Sequence, residues 1–203
     1  MQFIESIQMR DGKYINLPLH QARVDYAFER FAPSIESHDL EHILPNIQLD
    51  GIYKVRLVYD LDIEDAEYDL EYSEYLPRKI DSLEVVNSKP FDYSMKYAER
   101  APINNLVKQS NADDIIIAID GKITDGSYFN VTFWNGTDWL TPNNYLLNGV
   151  RRQQLLNEAR IKEEEILIKD IDTFEKVSLI NAMLDLGDLE IPVSSISLPK
   201  TAD

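Results

Sequence analysis

The chain has 203 residues, 44% apolar and 28% charged, values of a folded protein with room for one large domain or two small ones. A formal charge of −16 opposes a phosphate backbone or an anionic membrane, and no apolar run approaches the roughly 20 residues that span a bilayer. With no cysteine, disulfides, thiolate metal ligands and thiol nucleophiles drop out; with no basic start and continuous apolar stretch at the N-terminus, a cytoplasmic protein without nucleic-acid or membrane partners is expected.

Phe3–Met9 and Lys13–Asn16 read as strands around the turn pair Asp11-Gly12, so the chain is expected to open with a hairpin. Leu19–Phe31 carries apolar residues at helical spacing after Pro18, and this helix includes His20 and Arg23. A short helix over Ser37–Leu44 leads to strands at Gly51–Tyr59, Glu67–Tyr75 and Ile80–Val86. The polar stretch Asn87–Pro90 predicts a domain junction, which divides the chain into a small N-terminal domain, 1–87, and a larger C-terminal one, 88–203.

Beyond that junction a helix near Arg100–Gln109 precedes strands at Ile115–Ile119 and Tyr128–Trp134, with turns at Asp120-Gly121 and Asn135-Gly136 and a further strand at Trp139-Leu140. A helix over Gly149–Arg160 and strands at Lys162–Ile168, Lys176–Met183 and Ile191–Ile196 complete a mixed α/β pattern of α+β type, in which strands outnumber helices.

Most simple site chemistry finds no support. The seven glycines form neither a dinucleotide fingerprint nor a P-loop. His38 and His42 lie four apart, but on a short acidic helix that reads as a solvated face, and no metal is expected. His20 reads as a helix-surface or packing residue, and Lys162-Glu163-Glu164-Glu165 as the solvated side of a strand.

One ordered set of segments stands out: Phe3-Ile4-Glu5-Ser6 with His20-x-x-Arg23, Lys96-Tyr97-Ala98-Glu99-Arg100, Ile123-Thr124-Asp125-Gly126-Ser127 with Asn130, Leu147-Asn148-Gly149-Val150-Arg151-Arg152, and Ile180-Asn181-Ala182-Met183. Together, across nearly the whole chain, these resemble the class IV aminotransferase family. The resemblance implies a two-domain fold-type IV enzyme that holds pyridoxal 5'-phosphate between its domains and works as a homodimer on a small-molecule amine. It implies that Lys96 bonds covalently to the cofactor aldehyde, a role that needs a neutral amine.

The same resemblance gives Asp125 the place of a carboxylate, usually Glu, beside the pyridine nitrogen, and Arg23 the place of a phosphate-binding arginine. Gly149, Val150 and Arg151 open a predicted helix whose backbone N–H groups suit the phosphate from another side. Asn181 and Ala182, with the Lys96 segment, look more like the aminodeoxychorismate lyase branch, which tends to show K-x-x-N-R; here Glu99 replaces the usual Asn.

Where many relatives carry an arginine- and glycine-rich loop, this chain has Asp60-Leu61-Asp62-Ile63-Glu64-Asp65, which is unsuited to a substrate carboxylate. Alternation places Lys54 and Arg56 on one face of their strand, so Arg56, helped by Lys54, is the expected receptor for that carboxylate. The expected reaction is conversion of 4-amino-4-deoxychorismate to 4-aminobenzoate and pyruvate on the route to folate. An aminotransferase for a branched-chain or other small amino acid, and a non-catalytic cofactor-binding protein, are the alternatives.

Overall fold

The computed structural model describes residues 1–61 and 68–199, and it divides into two compact units. Met1–Pro77 with Met95–Glu99 form the first; Arg78–Ser94 with Arg100–Asp203 form the second. The architecture is mixed α/β and strand-rich, as expected.

In the first unit, β1 (Gln2–Arg10) turns through Asp11-Gly12 into β2 (Lys13–Tyr14), with φ of 48° and 76° at the two turn residues. Positive φ at both positions is what Asp-Gly supplies at low cost in a two-residue hairpin. β3 (Ile52–Asp60) pairs antiparallel with β1 along its whole length, and β4 (Asp69–Glu74) closes the order β2-β1-β3-β4.

Alternation gives this sheet an apolar face of Phe3, Ile7, Met9, Val55, Leu57 and Tyr59. Helix α1 (Leu17–Phe31), with Pro18 in its first turn, covers that face through Val24, Ala27 and Phe28. The second expected helix contracts to one turn, α2 (Leu40–Ile43), because Asp39 caps the Glu41 amide and so starts the helix three residues late.

In the second unit, β5 (Leu83–Ser88), β6 (Asp114–Ile119), β7 (Lys122–Gly126), β8 (Asn130–Trp134), β9 (Trp139–Pro142) and β10 (Lys162–Glu164) lie side by side, with β13 (Ile196–Ser197) on the β5 edge. β5 and β6 run parallel, a pairing that demands a long crossover, and this one includes α3 (Ala101–Gln109). Position 87, read from sequence as a junction, sits inside this pairing, with Asn87 opposite Ala118. The chain instead crosses between units at 77/78, 94/95 and 99/100.

Two expected strands end early. Lys162–Ile168 stops at Glu164, since Ile166 turns into the core and a 3-10 helix begins at Ile168. Lys176–Met183 stops as β11 (Lys176–Ile180), which pairs with β8 and with β12 (Glu190–Pro192). Helix α4 (Val150–Asn157) begins after Gly149.

Candidate active site

The first unit carries a buried ionic cluster between sheet and helix. Glu5 stands on the apolar face of β1 and is 1% exposed, so a bare carboxylate there would be costly. Arg23 grips it from α1, with Nε on Oε1 at 2.6 Å and Nη2 on Oε2. His20, one turn earlier on the same helix, places Nδ1 2.6 Å from Oε2.

Burial pushes the Glu5 carboxyl up, but the Arg23 charge and the hydrogen bonds from His20 and Arg23 outweigh it and hold the group at about 2. Burial likewise pushes the imidazolium of His20 below its ordinary range, against the pull of Glu5. Beside an ionised carboxylate the proton of the neutral ring sits on Nδ1. Nε2 then presents a lone pair, buried and with no hydrogen-bond partner among the described residues.

Of the two readings of His20, helix surface or packing, the structure bears out the second: it is completely buried. Glu5 has no role that its sequence pattern reveals, because a lone glutamate in a strand gives no sign that it faces inward. Arg23, expected on a phosphate, has Nε and Nη2 committed to Glu5, and Nη1 takes no part in that pair.

Lys96 belongs to this unit. Its carbonyl accepts from the Ile4 amide at 2.8 Å, and Tyr97 pairs with Phe3, ring beside ring. Lys96 sits at the centre of a tight turn, in which the Tyr97 amide donates to the Met95 carbonyl at 2.7 Å, and its charge is near enough to His20 to oppose protonation of that ring. Register puts Ser6, Gln8, Lys54 and Arg56 on the face of the sheet opposite the core, with Ser6 opposite Arg56 and Gln8 opposite Lys54. Arg56 is itself 3.5 Å from Asp69, a partner exposed enough to give way. Residues 62–65 of the acidic loop lie outside the described residues.

A second set of residues is built in the second unit. Asp125, near the end of β7, faces Asn130, the first residue of β8, across a tight turn. Asn130 Nδ2 donates to Asp125 Oδ1 at 2.8 Å and to the Leu147 carbonyl at 2.9 Å. The Leu146 and Leu147 amides donate to Oδ2 at 3.0 and 2.8 Å. Burial drives the carboxyl of Asp125 up to about 6, with the Leu147 amide and the Asn130 side chain among the groups that oppose it.

Gly149 follows directly. A Cβ at this position would run into the Asn130 amide, so only glycine lets the chain approach here before α4 begins. Asp125, Asn130, Leu147 and the α4 N-terminus thus share one hydrogen-bonded frame. Arg151 and Arg152 are buried: Arg151 reaches Gln154 and the Ala182 carbonyl, and Arg152 reaches Asn148, the Pro142 carbonyl and Glu163. Asn181 is not a strand residue. It caps the next turn by accepting from the Met183 and Leu184 amides, and donates to the Tyr128 carbonyl at 3.2 Å.

This donor set suits pyridoxal phosphate. Three N–H donors occupy the roughly four lone-pair sites of Asp125, which leaves one for a further donor such as a pyridine N–H. The uncapped start of α4, whose first turn holds no acidic residue, is suited to an anion at the other end of the same frame. His38 packs its ring on Phe28 and Tyr68, while His42 points to solvent beside Asp39.

The family model for amino-transferase class IV matches residues 2–196. An uncharacterized protein of Haemophilus influenzae is 32% identical over 184 residues, which cover 88% of this chain and 96% of that protein. Among solved structures, a protein from Haemophilus somnus 129pt, provisionally named a 4-amino-4-deoxychorismate lyase, superposes with a TM-score of 0.81 at 30% identity, over 91% of this chain and 97% of its own. A hypothetical aminotransferase from Mycobacterium tuberculosis, with α-ketoglutarate and PMP bound, gives 0.78 at 18% identity over 98% and 83%, a likeness of fold alone. No helix among the described residues is long and apolar enough to cross a membrane.

Proposed function

This chain belongs to the class IV aminotransferase family, and from that premise we propose that it is a pyridoxal-phosphate-dependent lyase that converts 4-amino-4-deoxychorismate to 4-aminobenzoate and pyruvate. The observation that carries the choice of reaction is the 30% identity, over nearly the full length of both chains, to the Haemophilus somnus protein with that provisional name. On this reading the enzyme works in the cytoplasm, as a homodimer, on the route to folate.

Bound pyridoxal 5'-phosphate supplies an electron sink that makes a proton next to the substrate nitrogen removable. Lys96 would hold the cofactor aldehyde, and its Nζ, once released, would serve as the base for the proton on the carbon that bears the substrate nitrogen. Asp125 would accept from the pyridine N–H at its remaining lone-pair site and so favour a protonated ring. Arg23, oriented by Glu5, and the amides of Gly149, Val150 and Arg151 hold the phosphate. Asn181 and Ala182 add to the cofactor-binding residues, and Arg56 with Lys54 receives a substrate carboxylate.

The test is direct. Purified protein is given 4-amino-4-deoxychorismate and, separately, an amino acid with a keto acid. Release of 4-aminobenzoate, lost in Lys96→Ala together with the visible absorbance of the lysine-bound cofactor, is the expected result. Steady keto-acid turnover with no 4-aminobenzoate makes the protein an aminotransferase; no visible absorbance, and no effect of Lys96→Ala, removes the enzyme reading altogether.

A further inference from the structure

We infer that Arg100 and Ser127 form a subsite for the ring carboxylate of the substrate, an inference that rests on the lyase reading. Arg100 precedes α3 and lies against the β7–β8 turn. Its guanidinium is 3.7 Å from the ring centroid of Tyr128 and 6.0 Å from that of Tyr93, and its Nη2 donates to the Ser127 carbonyl.

What sets it apart is its charge balance. The other arginines that are buried or half-buried, Arg23, Arg56, Arg151 and Arg152, each have a carboxylate within 4.0 Å, in a chain of net charge −16. Arg100 has none among the described residues, and two tyrosine rings take that place. A half-buried guanidinium in so acidic a protein, without an anion, is a place where an external anion fits.

Two unsatisfied polar atoms point the same way. Arg100 Nε and Ser127 Oγ are both buried with no hydrogen-bond partner among the described residues, and Ser127 is 3% exposed. Buried polar groups normally find partners, so such a pair across one contact calls for a missing third component. Arg100 Nε can only donate and Ser127 Oγ is able to, so a single acceptor satisfies both. The start of α3 adds to this: it has no side-chain cap and no acidic residue in its first turn, so its dipole also favours an anion.

The pair adjoins the frame that Asp125 organises. Ser127 is two residues from Asp125, on the turn whose ends Asp125 and Asn130 tie together. Under the proposed reaction the substrate amine is fixed at the cofactor, and the ring carries a carboxylate para to that amine which survives in the product. Arg100 binds that carboxylate, Ser127 Oγ donates to it, and neither takes part in proton transfer.

The experiment measures binding, not turnover. Calorimetric titration of the holoenzyme with 4-aminobenzoate and with aniline, which lacks the carboxylate, compares wild type with Arg100→Met, Arg100→Lys and Ser127→Ala. The expected result is that Arg100→Met weakens 4-aminobenzoate by about tenfold or more and leaves aniline unchanged, with Arg100→Lys intermediate and Ser127→Ala weakened by roughly threefold to tenfold. Equal losses for the two ligands, no loss for either, or no 4-aminobenzoate binding in wild type overturns the subsite. If Arg100→Met does not fold, the Lys and Ala variants decide on the same readout. Failure of the lyase reading looks different: wild type then makes no 4-aminobenzoate whatever the binding results, whereas intact turnover with unchanged binding in the variants removes the subsite alone.

Discussion

The carboxylate of Glu5 and the imidazole of His20 meet at 2.6 Å, with both side chains 1% exposed and Arg23 closing the other side of the carboxylate. The charge of Glu5 is tolerable there only because Arg23 matches it, so Glu5→Gln leaves a buried guanidinium uncompensated and should cost roughly 3–5 kcal/mol. The folded carboxyl titrates at about 2 against an ordinary 4.5, so its stabilisation is present above pH 4.5 and is lost as pH falls from 4.5 towards 2. Denaturant unfolding of the apo-protein from pH 7 to pH 3 should show Glu5→Gln less stable at pH 7 and converging on wild type in acid. A constant gap across that range rejects an ionised Glu5.

Asp125 has the opposite sign. Its carboxyl is raised to about 6 from 3.8, so ionisation is penalised in the fold, and this group adds stability as pH falls from 6 to 3.8. A pyridine N–H on its remaining lone pair would favour the ionised form and bring the titration down. Carboxyl-carbon NMR of Asp125, with and without pyridoxal phosphate, should therefore show a high midpoint in the apo-protein and a lower one after loading. An unmoved midpoint removes Asp125 as the partner of the ring nitrogen. Asp125→Asn in the loaded enzyme should lower kcat on the order of 10²-fold, since it removes the charge that keeps the ring protonated.

How much was legible beforehand depended on whether the cause was local. Asp11-Gly12 and Asp120-Gly121 announce their hairpins because positive φ is a property of those residues, and both turns have it. Leu19–Phe31 shows its helix through spacing alone. Glu5 and His20 gave no such sign: each looks like a solvated polar residue until β1 and α1 are packed together. The same holds for the Asp125–Asn130–Leu147 frame, whose members are scattered over 22 residues and joined by backbone amides that no side-chain pattern marks. The segment after Glu164 misled for the reverse reason, because its alternation continues while Ile166 is drawn into the core ahead of a 3-10 turn.

Gly149 offers a steric test of that frame. Adding one methyl drives it into the Asn130 amide, which already serves Asp125 and the Leu147 carbonyl. Gly149→Ala should destabilise the protein by about 1–3 kcal/mol and weaken retention of pyridoxal phosphate, because the start of α4 must shift. Asn130→Ser, which frees the space, should cost less on top of Gly149→Ala than it does in wild type. Additive costs in thermal unfolding would show that the two positions do not share this contact.

Arg152 and Glu163 form one ion pair whose two ends should respond very differently. Arg152 is 1% exposed and donates to Asn148 Oδ1 at 3.1 Å and to the Pro142 carbonyl at 3.0 Å as well as to Glu163, with its guanidinium 4.3 Å from the Tyr145 ring centroid. The side chain of Glu163 is 48% exposed and can turn to water. Glu163→Gln therefore removes only a screened attraction, about 1 kcal/mol or less. Arg152→Met strands buried acceptors on both sides of the α4 start and should cost roughly 3 kcal/mol. Urea unfolding of the two variants separates them, and a Glu163→Gln cost equal to that of Arg152→Met would mean that the pair itself, and not the carbonyl contacts, anchors α4.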